Sequence, residues 1–117
     1  MATILIIDDS AFQRKIIRDI IEAESHNILE ASDGKEGLEM IIDQKPDLIL
    51  LDHTMPEKTG RELMNDIKNK EIDIPTIMIT ADIQEGSRQQ SMDLGVKAFI
   101  GKPVNEEELK KLIRQYC

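Results

Sequence analysis

The sequence predicts an α/β domain, a doubly wound (βα)5 arrangement around a parallel sheet, on three observations. Short apolar runs alternate with amphipathic stretches along the 117 residues, which is the pattern of parallel strands joined by helical crossovers. Most runs are continuous rather than alternating, as in strands covered on both faces. Five positions also pair a capping oxygen with Gln or Glu three residues later, and each marks a helix start.

The elements follow in order. "ILII" (4–7) is the first strand; Ser10 and Gln13 then open a helix with Phe12, Ile16, Ile17, Ile20 and Ile21 on one face. "NILEA" (27–31) is more polar and suits a sheet edge, and Asp33 and Glu36 open a helix carrying Leu38, Ile41 and Ile42. "LILL" (48–51) is the most buried strand, and Thr59 with Glu62 starts a helix that packs through Leu63, Met64 and Ile67. "TIMI" (76–79) precedes an Asp82–Glu85 start in which Gly86 and scarce apolar residues predict the least stable helix. "AFI" (98–100) is the last strand, and Asn105 with Glu108 opens a helix carrying Leu109, Leu112, Ile113 and Tyr116. Pro46, Pro56, Pro75 and Pro103 fall at junctions, and with no linker or repeat the expected organisation is one domain, 1–117.

Composition removes several classes of function. A net charge of −8 opposes direct nucleic-acid binding, which needs a basic face. Aromatic residues at 3% leave few stacking platforms for bases or flavins. No apolar run approaches the roughly 20 residues of a membrane span, and Met-Ala-Thr lacks a signal peptide's basic flank, so no membrane role and a cytoplasmic location are expected. Cys117 stands alone, without a disulfide partner or companions for zinc. His26 reads as a turn residue, His53 points away from its neighbour Asp52, and the methionines read as core filler.

In an open sheet of this kind, ligands bind beyond the carboxyl ends of the strands. The residues there are Asp8 and Asp9 after the first run, Asp52 after the third, Thr80 after the fourth and Lys102 after the fifth. Three converging carboxylates repel one another, and a hard divalent cation resolves that repulsion. Mg2+ accepts a few carboxylates, keeps several waters and completes its shell with phosphate oxygen. Asp8 and Asp9 point to opposite sides of an extended chain, so one can ligate directly and the other through water. Asp52, ending the most buried run, is the candidate nucleophile toward phosphorus. Lys102 and Thr80 can then neutralise and hydrogen-bond the transferred group's oxygens.

In order and interval, "IIDDS", "LILLDHTMP", "MITA" and "GKP" resemble the receiver domains of bacterial two-component response regulators, the single-domain CheY-like members being closest in length. The resemblance spans essentially the whole chain. It implies a flavodoxin-like fold with strand order 2-1-3-4-5, and transfer of a phosphoryl group to Asp52 from a sensor histidine kinase or a histidine phosphotransfer protein. It implies Mg2+, with Mn2+ as a substitute, held by Asp9, Asp52 and the Thr54 backbone carbonyl, with Asp8 as an outer partner. Thr80 and Phe99 become the switch pair, with Ala81 leaving room for the ring. Thr54 and Asp82 tune phosphate hydrolysis, and the Lys102–Pro103 peptide is commonly cis.

The chain ends with the fifth helix, so the expected output is a diffusible interaction through the face formed by residues 83–117. Candidate targets include a motor switch, a kinase or a phosphorelay protein. Phosphate lifetime, cognate kinase and dimerisation are not written in the sequence. A docking domain of the same fold that never carries phosphate has no use for Asp9, Asp52, Thr80 and Lys102 together. A phosphatase resembling the haloacid dehalogenases wants an acid two residues beyond the nucleophile, where Thr54 stands. A flavin carrier wants a Gly- and hydroxyl-rich loop after the first strand, where "DDSAFQR" repels phosphate.

Overall fold

A computed structural model describes residues 2–24, 26–52, 60–80, 89 and 92–117. Among them, five strands alternate with helices: β1 (Thr3–Ile7), α1 (Ala11–Glu22), β2 (Asn27–Ala31), α2 (Gly34–Gln44), β3 (Leu48–Asp52), α3 (Gly60–Asn69), β4 (Thr76–Thr80), β5 (Ala98–Gly101) and α4 (Glu106–Tyr116). The apolar runs that read as strands are all strands, each within a residue of its expected limits. All pairings are parallel, in the order β2-β1-β3-β4-β5. β1 and β3 therefore lie at the centre with both faces covered, which is why their residues are continuously apolar. β2 forms one edge, as its polarity predicts.

Alternation of side chains divides the core in two. Ile4, Ile6, Leu48, Leu50, Ile77, Ile79 and Ile100 face α1 and α4, where Ile17, Ile20, Ile21, Leu109 and Ile113 cover them. Leu5, Ile7, Ile49, Leu51 and Met78 face α2 and α3 and meet Ile41, Leu63, Met64 and Ile67. Burying one such aliphatic side chain stabilises by about 1.5–3 kcal/mol, so two full layers hold the strand ends in fixed register. α2 approaches β1 closely because Gly37 has no side chain. A Cβ there would lie 2.6 Å from Ile7 Cδ1.

Caps form where the sequence places them. The Ser10 hydroxyl accepts from Gln13 N at 3.2 Å, Asp33 Oδ1 from Glu36 N at 2.7 Å and Asn105 Oδ1 from Glu108 N at 2.9 Å. Thr59, Pro56 and most of the 82–95 segment lie outside the described residues; Gln89, Met92 and Asp93 in that segment are helical.

Three apolar residues depart from the expected core. Phe12 is 74% exposed because it sits in the first turn of α1, beyond the end of the strand that the helix covers. Ile42 is 47% exposed, rotated off the sheet by one helical step from buried Ile41. Met92 is 44% exposed, while Leu94 and Val96 take the core positions beside it. The other described methionines behave as expected: Met64 and Met78 are buried, and Met40 packs against the core.

Candidate functional site

The carboxyl ends of β1, β3, β4 and β5 form one rim, and the described candidate residues lie along it. Asp8 directly follows β1, Asp52 ends β3, Thr80 ends β4 and Lys102 follows β5. Asp8, Asp52 and Thr80 are buried, which for the two carboxylates is unusual. One oxygen from each of Asp8, Asp9 and Asp52 lies within 4.8 Å of the others, with Asp9 on the solvent side.

Lys102 reaches into this cluster. Its Nζ is 3.0 Å from Asp52 Oδ1 and 3.8 Å from Asp8 Oδ2. The backbone hydrogen bond aims it: Lys102 N donates to Thr80 O at 2.9 Å. The same bond ties the ends of β4 and β5 together. The Lys102–Pro103 peptide is cis. Phe99 pairs in register with Met78, two residues before Thr80, and packs partly buried on the α2–α3 side of the core. Thr80 has the same strand parity as Met78, so the hydroxyl and the ring occupy one face.

Asp8 is held at almost every polar atom. Its N–H donates to Ala31 O of β2 at 3.1 Å, its Oδ1 accepts from Ser10 N at 2.9 Å, and its carbonyl accepts from Arg14 Nη1 at 2.6 Å. Oδ2 is buried and makes no hydrogen bond. Burial pushes the Asp8 carboxyl above the usual carboxylate range. The Ser10 amide opposes that shift, the Asp52 charge adds to it, Lys102 opposes it and Asp9 adds to it.

These features fit a hard divalent cation. The donors are all oxygen, the carboxylates converge, and a buried oxygen has no hydrogen-bond partner. Thr54, Asp82, Ala81 and His53, the other residues singled out near the rim, lie outside the described residues. His26, read from the sequence as a turn residue, lies just before β2, and its Nδ1 accepts from Ala2 N at 3.1 Å. Arg14 was not legible as a site residue from motifs. Its signal was Glu30, whose alternation with Ile28 places a carboxylate on the α1-facing side of β2, where it requires a cation.

Residues 4–114 match the model of the response regulator receiver domain. The chain belongs to the receiver-domain family. It is 31% identical over 116 residues to the polar-differentiation response regulator DivK of Brucella ovis, covering 97% of this chain and 94% of that one. It is 40% identical over 109 residues to the phosphate regulon transcriptional regulatory protein PhoB of Pseudomonas aeruginosa, covering 92% of this chain but only 48% of that protein. The chain thus spans about half the length of that relative and nearly all of DivK. The receiver domain of Thermotoga maritima CheB superposes with a TM-score of 0.88 at 32% identity, covering 97% of this chain and 94% of that one. For the chemotaxis protein CheY4 of Vibrio cholerae the TM-score is 0.93 at 26% identity, with 100% and 99% covered.

The fold is therefore flavodoxin-like α/β, and the chain is a two-component signalling module of the phosphoacceptor kind. Receiver domains bind Mg2+ through an acidic pocket, and this chain has the aspartate cluster for one. Histidine kinases and downstream targets are the partners of the family. Among the described residues no helix is long and apolar enough to cross a membrane.

Proposed function

We propose that this chain works as a receiver switch that takes a phosphoryl group onto Asp52 and catalyses both the gain and the loss of that group. The observation that carries the reading is the meeting of three carboxylates with the Lys102 ammonium, 3.0 Å from Asp52 Oδ1, at the end of the central strand β3. A carboxylate oxygen of Asp52 attacks phosphorus, the P–N bond of a phosphohistidine breaks, and the imidazole leaves. Lys102 moves from the carboxylate to the new phosphoryl oxygens. The Thr80 hydroxyl donates to another oxygen. Asp9, Asp52 and the Thr54 carbonyl would hold Mg2+ or Mn2+, with Asp8 as an outer partner, and the metal would supply charge neutralisation at the phosphoryl group.

Movement of Thr80 toward that group leaves space behind it on the face it shares with Phe99, and the ring follows. This change reaches the face of residues 83–117, where a target protein docks. Thr54 and Asp82 set the phosphate lifetime. The donor is a sensor histidine kinase or a histidine phosphotransfer protein, and Phe12, exposed in the turn after Asp9, offers it an apolar contact. A cytoplasmic location, in reach of such kinases, completes the reading.

The test is to incubate wild type and Asp52→Asn with acetyl phosphate and Mg2+ and record intact masses. One phosphoryl group on wild type alone, abolished by EDTA, is expected. No adduct on wild type, together with no NMR response to beryllofluoride, would replace this reading with a docking domain.

A further inference from the structure

Asp8 is fixed by hydrogen bonds from three directions, and two come from backbone groups that any residue could provide. The third is a side chain. Arg14, on the second turn of α1, places Nη1 2.6 Å from the Asp8 carbonyl oxygen, while its Nε lies 3.1 Å from Glu30 Oε1 on β2. Glu30 pairs in register with Ile6, two residues before Asp8, so the guanidinium spans from the edge strand to the end of β1. Glu30 also pairs with Arg18, whose Nε lies 3.0 Å from Glu22 Oε1. The guanidinium is thus held on one edge by a carboxylate and spends its other edge on a carbonyl. Its side chain is only 17% exposed.

That carbonyl belongs to the peptide joining Asp8 to Asp9. Holding its oxygen fixes the peptide plane, and the plane sets the directions in which both acids leave the backbone. With the amide on Ala31 and Oδ1 on Ser10, the Asp8 oxygen left without a hydrogen bond is Oδ2, which faces the cluster.

We propose that Arg14, braced by Glu30, is a positioning residue for the acidic cluster: it locks the Asp8–Asp9 peptide so that the carboxylates converge on one cation. The inference rests on the metal-dependent reading above and assigns Arg14 a part in it. Geometry, not charge alone, is what the site uses. A guanidinium can serve the carbonyl and the carboxylate at once from a rigid fork, whereas an ammonium is a single point without that preset geometry. Outer groups that orient metal ligands typically matter at the level of about 10–100-fold in affinity.

The experiment measures Mg2+ affinity by amide shifts in NMR, with melting in EDTA as the control for fold, for wild type, Arg14→Lys, Arg14→Met and Glu30→Gln. The expected result is a Kd raised about tenfold in both Arg14 variants and by a smaller factor in Glu30→Gln. Wild-type affinity in Arg14→Lys would overturn the proposal by reducing Arg14 to a nearby charge, and wild-type affinity in every variant would reduce it to a structural ion pair. Should Arg14→Met fail to fold, Arg14→Lys and Glu30→Gln decide between these outcomes. Wild type that binds Mg2+ but never gains a phosphoryl group would remove the proposed function and leave the positioning role standing. Wild type that binds no Mg2+ would overturn both.

Discussion

The two ends of the same sheet treat their acids in opposite ways. At the amino end, Asp47 precedes β3, and its Oδ2 accepts from Thr3 N at 2.8 Å while its own amide donates to Thr3 O at 2.8 Å. That carboxylate is exposed and pairs with a backbone donor. At the carboxyl end, Asp8 and Asp52 are buried, Asp9 joins them, and Lys102 is the only cation within ion-pair distance of this cluster among the described residues. One end uses its acid to hold strands together. The other concentrates charge whose repulsion a ligand can relieve, and such unrelieved sites are where a fold gives up stability for function.

The largest expected effect tests the charge balance at the carboxyl end. Replacing Lys102 by Met removes the ammonium beside Asp52, and labelling by acetyl phosphate should slow by about 100-fold or more, the usual scale for deleting one preorganised electrostatic group. Intact-mass time courses measure it. A rate near wild type would mean that Lys102 only balances charge in the resting state.

Repulsion itself is tested next. In EDTA, Asp52→Asn removes one of the clustered charges and should stabilise the protein by about 1–2 kcal/mol, a rise in Tm of roughly 4–8 °C for a chain of this size. Stabilisation by Mg2+ should shrink in the same variant. Equal melting of variant and wild type in both conditions would remove the contrast between the two ends.

A smaller effect concerns pH. The Asp8 carboxyl is raised above its ordinary range, chiefly by burial. A raised acid favours the protonated form in the folded state, so its contribution to stability is full below the unfolded pKa and is lost as pH rises through the folded pKa. In EDTA, the stability of Asp8→Asn relative to wild type should therefore increase between about pH 3 and pH 7. Urea melts at each pH read the difference, and a flat difference would place Asp8 in an ordinary solvated setting.

What the sequence made legible follows the same division. The strands were readable because burial on both faces leaves long apolar runs, and the rim acids were readable because each interrupts such a run at its end. The exposure of Phe12 and Ile42 was not, since a helical stripe says which residues share a face but not where the sheet beneath it stops. Arg14 was hidden for a related reason. Its partners are a backbone carbonyl, which leaves no pattern, and a residue 16 positions away, whose alternation on β2 calls for a cation without saying which one.

The smallest expected effect belongs to the amino end and completes the contrast. Asp47→Ala removes the acceptor for Thr3 N and leaves that donor to water, because the site is exposed, so the cost should be about 0.5–1.5 kcal/mol. Asp47→Asn keeps an oxygen where the acceptor is needed and should recover most of it. Neither variant should alter Mg2+ affinity or labelling by acetyl phosphate, because the paired acid lies at the opposite end of the strands from the cluster. Chemical melts and labelling rates on the same samples measure both arms. Slowed labelling in Asp47→Ala would mean that the two ends are energetically coupled through β1 and β3, and the separation between a supporting end and a reacting end would fail.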